Sequence, residues 1–171
     1  MRPQSPPFGS LKIGFSNILY YQLILKILED INEVLKNDKM KIIYYLQGII
    51  AGEGHIKPGK HKSLNSVRIG CSNAKEKLFY HILLKKLGIK SHIAKNQIEI
   101  TGQDNFLKLF KCRLIDLHPK KYLVFLNSFL KFRQISLKIK KEFLKEKENI
   151  KKELSILNIK RGDYHKTSNL V

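Results

Sequence analysis

One carboxylate, Glu53, closes the run Leu46-Gln47-Gly48-Ile49-Ile50-Ala51-Gly52-Glu53-Gly54, and the run breaks two local rules. Its apolar content reads as the last turns of a short helix. An acid there sits at the negative end of the helix dipole, where it is disfavoured. A bound divalent cation would reverse the sign of that cost, and the Gly52 backbone carbonyl would share the ion. The ordinary alternative is an exposed glutamate before a glycine stop. The second anomaly is Gly48 and Gly52 inside the helix, each costing about 1 kcal/mol relative to alanine. Four residues apart, they share one face and let another helix come close. Packing against a bulky neighbour of the same chain is the alternative there.

The elements around this run must hold the acid in place. Residues 41–52 read as its helix. Residues 54–62 read as an exposed strand bending at Pro58-Gly59. Residues 66–72 alternate, with Val67, Ile69 and Cys71 on one face and Arg68, Gly70 and Ser72 on the other, a half-buried strand. Asn73 caps a helix over 74–87 that Gly88 stops. Residues 92–94 and 97–101 form a hairpin turning near Asn96, with Ile98 and Ile100 inward. Helices follow over 104–113 and 120–131. From residue 41 the order is helix, strand, strand, helix, strand, strand, helix.

Three parts are expected: an extension over 1–39, a core over 40–132, and a basic helix with a flexible tail from Gly162 over 133–171. The extension has a loose Pro/Ser/Gly-rich start. Apolar spacing over 18–36 then gives a helix capped by Asn17. Lys12-Ile13-Gly14-Phe15-Ser16-Asn17 echoes Arg68-Ile69-Gly70-Cys71-Ser72-Asn73. A duplicated half or convergence on a strand-then-capped-helix pattern would each explain the echo. The helix over 134–157 is rich in Lys, Glu and Leu. Residues 131–161 hold eleven basic side chains against Glu142, Glu146, Glu148 and Glu153. That excess suits a solvated face or a helix lying along phosphates.

Composition narrows the partner. The chain has 171 residues, enough to bury one core, and 33 Lys and Arg against 14 Asp and Glu, a formal charge of +19. Such a chain repels itself unless a polyanion neutralises it, and nucleic acid is the first candidate. No apolar run reaches the ~18 residues of a membrane span. The start, Met1-Arg2-Pro3-Gln4-Ser5-Pro6-Pro7, has no signal-peptide pattern, so an intracellular setting is expected: the cytoplasm or nucleoid of a prokaryote, or an organelle. Cys71 and Cys112 form no CxxC pair and read as buried, reduced thiols.

Residues 46–54 resemble the LAGLIDADG motif, and the element order over 41–131 is similar to that family's αββαββα core of mixed α+β class. Leu46, Gly48, Ile49 (for Leu), Ile50, Glu53 (for the second Asp) and Gly54 match. Gln47, Ala51 (for the first Asp) and Gly52 (for Ala) depart, and the acid that serves as metal ligand in the family is kept. The resemblance implies two motif helices packed at a twofold axis, their terminal acids meeting below a saddle of β-sheets. With one motif per chain, this sequence resembles the homodimeric branch, its interface placed on Gly48, Gly52, Gln47 and Tyr45. The implied cofactor is Mg²⁺, with Mn²⁺ or Ca²⁺ as substitutes. The implied reaction is double-strand hydrolysis at a long pseudo-palindromic site of intron or intein type, leaving 3′ overhangs.

The resemblance also implies polar helpers near the metal. Lys120 is the first choice, His118 the second, and Ser72 matches the other polar position. DNA contacts are expected from the outward strand faces: His55, Lys57, Lys60 and Lys62; Ser66, Arg68 and Gly70; and His92, Lys95, Gln97 and Glu99. Arg68 suits a bidentate guanine contact and Gln97 an adenine, while lysines such as Lys60 and Lys62 suit phosphate. The competing reading is a non-cleaving binder on the same scaffold, an RNA maturase acting on intron RNA or a DNA-binding regulator. A pure binder has no need of an acid facing phosphates. A basic structural RNA-binding protein would explain the charge but not the glycine face.

Overall fold

The computed structural model describes residues 38–167 without a break, their side chains as far as Ile156, and before them only Gln22, Lys26, Asp30, Ile31, Glu33 and Leu35. The chain divides into Met1–Asp38 and Lys39–Val171. In the first unit Gln22, Lys26, Asp30, Ile31 and Glu33 are helical; the Asn17 cap and the first copy of the echo lie outside the described residues. The second unit carries the candidate site.

Its first helix, α1 (Lys39–Glu53), runs one turn-fragment further each way than the apolar spacing suggests, and Glu53 is its last residue. Ile42, Leu46, Gln47 and Ile50 are buried along one stripe. Tyr44, Gly48 and Gly52 lie on the opposite, exposed stripe. Strand β1 (Gly54–Pro58) follows with no intervening turn. Only glycine fits at the junction, because a Cβ on Gly54 would overlap the Ile50 carbonyl. β1 ends at Pro58, earlier than expected, since a tight turn closed by Gly59 and Ser63 leads into β2 (Leu64–Gly70).

Helix α2 (Ala74–Lys86) is capped as the sequence indicates. Asn73 accepts from the Glu76 amide at 2.9 Å, and Glu76 accepts from the Ser72 amide at 2.6 Å. Its far end closes on itself. Gly88, at φ 72°, lets its own amide reach Lys85 O at 2.9 Å and the Ile89 amide reach Leu84 O at 2.9 Å, a glycine-closed helix end. Strands β3 (His92–Ile93) and β4 (Gln97–Ile100) complete an antiparallel sheet of order β1-β2-β4-β3. Val67, Ile69, Ile98 and Ile100 are fully buried on its inner face.

Helix α3 (Gln103–Lys111) ends in the same closing pattern, but Arg113 takes the left-handed position at φ 55°. Helices α4 (Pro119–Phe129) and α5 (Leu137–Thr167) then pack together. Phe143 of α5 is fully buried, 4.2 Å from the Phe129 ring and 4.0 Å from Phe110 between centroids. The first half of the basic helix is therefore tied to the core through its apolar stripe. α5 also continues through Gly162 to Thr167, where a tail was expected. A single glycine costs only about 1 kcal/mol within a long helix.

Candidate active site and nucleic-acid face

The centre of the site is the junction of α1 and β1. Glu53 is exposed there, and its carboxylate lies beside Gly70 of β2, where an added Cβ would sit 3.6 Å from Glu53 Oε2. The end of α1 is closed from outside. The Lys121 ammonium donates to Ile50 O at 3.4 Å, Ala51 O at 2.7 Å and Gly52 O at 3.1 Å. These are orphan carbonyls that a helix running straight into a strand cannot satisfy by turning back. Partial burial holds the Lys121 ammonium below the usual lysine range, and the neighbouring Glu53 charge opposes that shift.

Lys121, rather than Lys120, reaches the end of the helix that carries the acid. The phase of α4 decides between them. Lys121 lies one turn before fully buried Phe125, on the inward stripe; Lys120 lies one turn before exposed Val124. Spacing from Phe125 was the available signal. Lys120 is exposed, and with Lys121, His55, Ile56 and Val124 it lines a hollow of about 210 Å³ beside Gly54. His118 is the N-cap of α4, its Nδ1 accepting from the Lys121 amide at 3.3 Å. It thus holds the turn that carries Lys121. Ser72 is exposed, and its amide is committed to Glu76 in the α2 cap.

Two residues assigned to the dimer face are engaged within the chain. Gln47 is 8% exposed and donates through Nε2 to Arg113 O at 2.9 Å and Asp116 Oδ1 at 3.1 Å. Arg113 Nε pairs with Asp116 Oδ2 at 2.7 Å, so one network fixes the loop leading to His118. This network also accounts for an arginine held at positive φ. Tyr45 packs edge-on to Phe79 at 5.8 Å and near Tyr80 at 6.3 Å. Burial pushes the Tyr45 hydroxyl upward in pKa. Gly48 and Gly52 instead open outward with nothing within 4 Å of a built Cβ, and Tyr44 beside them is 62% exposed.

The outer face of the sheet carries the expected polar set. His55 pairs with Arg68, Arg68 with Glu99, and Glu99 with His92, so these four form one lateral row. Lys57 pairs with Ser66, and Gly70 with Gln97. Ser66 faces outward but is 1% exposed, covered by its neighbours. Lys60, Lys62 and Lys95 are exposed on turns, and Lys62 takes φ 59°. Among the described residues, no three His, Cys, Asp or Glu side chains cluster as a metal cage, and no helix is long and apolar enough to cross a membrane. Cys71 and Cys112 are free and half-buried, and burial pushes both thiols upward in pKa.

A helix ending in an exposed acid beside an antiparallel sheet with a polar outer face is the arrangement the motif implied. Residues 40–116 match the family model of the LAGLIDADG-like domain, and this part of the chain belongs to the LAGLIDADG family. That domain is shared by homing endonucleases and related nucleic-acid binders. Neither a curated protein nor a solved structure matches the chain.

Proposed function

We propose that this protein is a homodimeric, metal-dependent endonuclease that cuts double-stranded DNA at a specific pseudo-palindromic site, of the kind carried by introns and inteins. The observation that carries the reading is the end of α1: an exposed carboxylate on a helix whose outward stripe is glycine, next to a lysine that closes the same helix end.

The Glu53 carboxylate offers oxygen only, which fits a hard divalent cation such as Mg²⁺; the Gly52 carbonyl would share itself between that ion and Lys121, from which it accepts at 3.1 Å. When bound, that ion would supply water activation and stabilise the leaving 3′ oxygen. The chain's own residues do the rest. Gly48 and Gly52 admit the partner's α1, which brings a second Glu53 close. Two such carboxylates repel, so the pair holds cations more readily than either acid alone. Lys121 neutralises the helix end and stands beside the hollow where Lys120 and His55 can steady a phosphate. The outer sheet face, with Arg68, Gln97, His55, Lys57 and His92, offers a β-ribbon surface for the major groove. The exposed turn lysines add phosphate contacts, which makes binding steeply salt-dependent.

Cleavage of a randomised duplex library with Mg²⁺, wild type against Glu53→Gln, tests the chemistry. Wild type should cut and leave 3′ overhangs. Glu53→Gln should lose at least about a thousandfold in rate while still binding, as expected when the group holding the metal is removed. Tight binding by wild type without any cutting would favour the maturase or regulator reading. Assembly is tested by Gly48→Leu, which places a bulky side chain on the open stripe. It should shift the protein to monomers in light scattering; an unchanged dimer would move the interface elsewhere.

A further inference from the structure

The acid on the DNA-facing side of the sheet needs an explanation. Glu99 repels phosphates in a chain whose attraction for DNA rests on its basic charge. Its contacts give the reason. Arg68 Nε lies 2.8 Å from Glu99 Oε1 and donates to Ser66 Oγ at 3.1 Å. Gln97 Nε2 donates to the same Glu99 oxygen at 2.6 Å. The pair is mostly covered, with 26% of the Arg68 side chain and 22% of the Glu99 side chain exposed. Ser66, at the bottom, is buried.

We infer that Arg68, Glu99, Gln97 and Ser66 form one base-reading unit, in which Glu99 is the positioning residue that aims Arg68 at a guanine. The inference rests on the DNA reading above and names what that face selects. Two of these three contacts, those with Glu99 and Ser66, reach Arg68, both at Nε, and the third fixes Glu99 from Gln97. They leave the two Nη groups at the tip to meet guanine O6 and N7 together, the commonest specific arginine contact. An arginine fixed before binding has already lost its rotamer freedom, so less affinity is spent on ordering it. Gln97 is fixed by the same carboxylate and is not an independent reader.

The place of this contact in the target also follows. Gln97 pairs with Gly70, which lies against Glu53, and Arg68 is two residues along β2 from Gly70. That is about 7 Å, roughly two base-pair steps. The guanine therefore lies close to the cleaved bond in each half-site, inside the stretch read by the turn residues.

The test is base preference, measured with the full-length protein on a library randomised through both half-sites. Wild type should prefer guanine at one inner position. Arg68→Ala should flatten that position by roughly ten- to a hundredfold. Arg68→Lys should flatten it equally while keeping the salt dependence, because lysine is only a point charge. Glu99→Gln should weaken the same position about tenfold without lowering the melting temperature, and adding it to Arg68→Ala should change nothing more. Separate positions for Arg68 and Glu99 would overturn the unit and make Glu99 a direct reader of cytosine. So would a guanine preference untouched by Glu99→Gln. If sequence preference survives intact in Arg68→Ala, this inference falls and the nuclease reading stands. If wild type binds no duplex DNA, both fall.

Discussion

Helices α1 and α2 both hand the chain on toward the sheet side of the core, yet they end differently. α2 closes with its own backbone: Gly88 adopts the left-handed conformation, and two amides turn back to Lys85 and Leu84. α1 has no room for such a turn, because Gly54 already belongs to β1. Its last carbonyls are met by Lys121, from a helix that begins 66 residues after α1 ends (119 − 53). A self-closed end is stable and inert. An end closed by a distant cation leaves its acid pointing outward and ties the helix end to another part of the fold. At α1 the second device stands beside the exposed acid; at α2 the Lys108 ammonium meets only the Gly88 carbonyl, outside the closed turn.

Three substitutions, with Lys120→Met as a control, can break that contrast. The largest effect is expected from Gly54→Ala, since the new methyl must displace the Ile50 carbonyl. A loss of about 3 kcal/mol in urea unfolding is expected, at the top of the range for overpacking. A loss under about 1 kcal/mol would show that the α1–β1 junction can relax. Next, Lys121→Met should lower cleavage roughly ten- to a hundredfold, the usual cost of losing a group that supports a metal site. Lys120→Met should do far less. Equal losses would erase the distinction that the phase of α4 draws. The smallest is Gly88→Ala, costing about 1 kcal/mol from strain at positive φ, with cleavage unchanged. A cleavage defect there would mean the α2 end is not merely structural.

Much of this was legible beforehand. The acid, the glycine pair and the strand alternation of Val67 and Ile69 against Arg68 follow from spacing alone, and the structure places each as expected. Asn73 and Gly88 punctuate α2 as their types dictate. What spacing left open was rotation: of two neighbouring residues, only one faces a given side. Lys120 and Lys121 are alike until Phe125 fixes the helix phase. Tyr44 and Tyr45 are alike until Phe79 and Tyr80 claim one of them. Gln47 sits next to Gly48 in sequence but a hundred degrees away on the helix, facing the Arg113–Asp116 loop. Local pattern sets the kind of element, and tertiary packing sets its rotation.

The open glycine stripe has a consequence for dosage. In the proposed dimer a single chain holds half of a cutting centre. When chains are scarce relative to the dimer's dissociation constant, active pairs grow with the square of their concentration. Halving synthesis would then cut activity about fourfold by mass action. Two small outward-facing residues, Gly48 and Gly52, would thus give a DNA-breaking activity a built-in threshold, silent at trace levels and rising steeply once enough protein has accumulated.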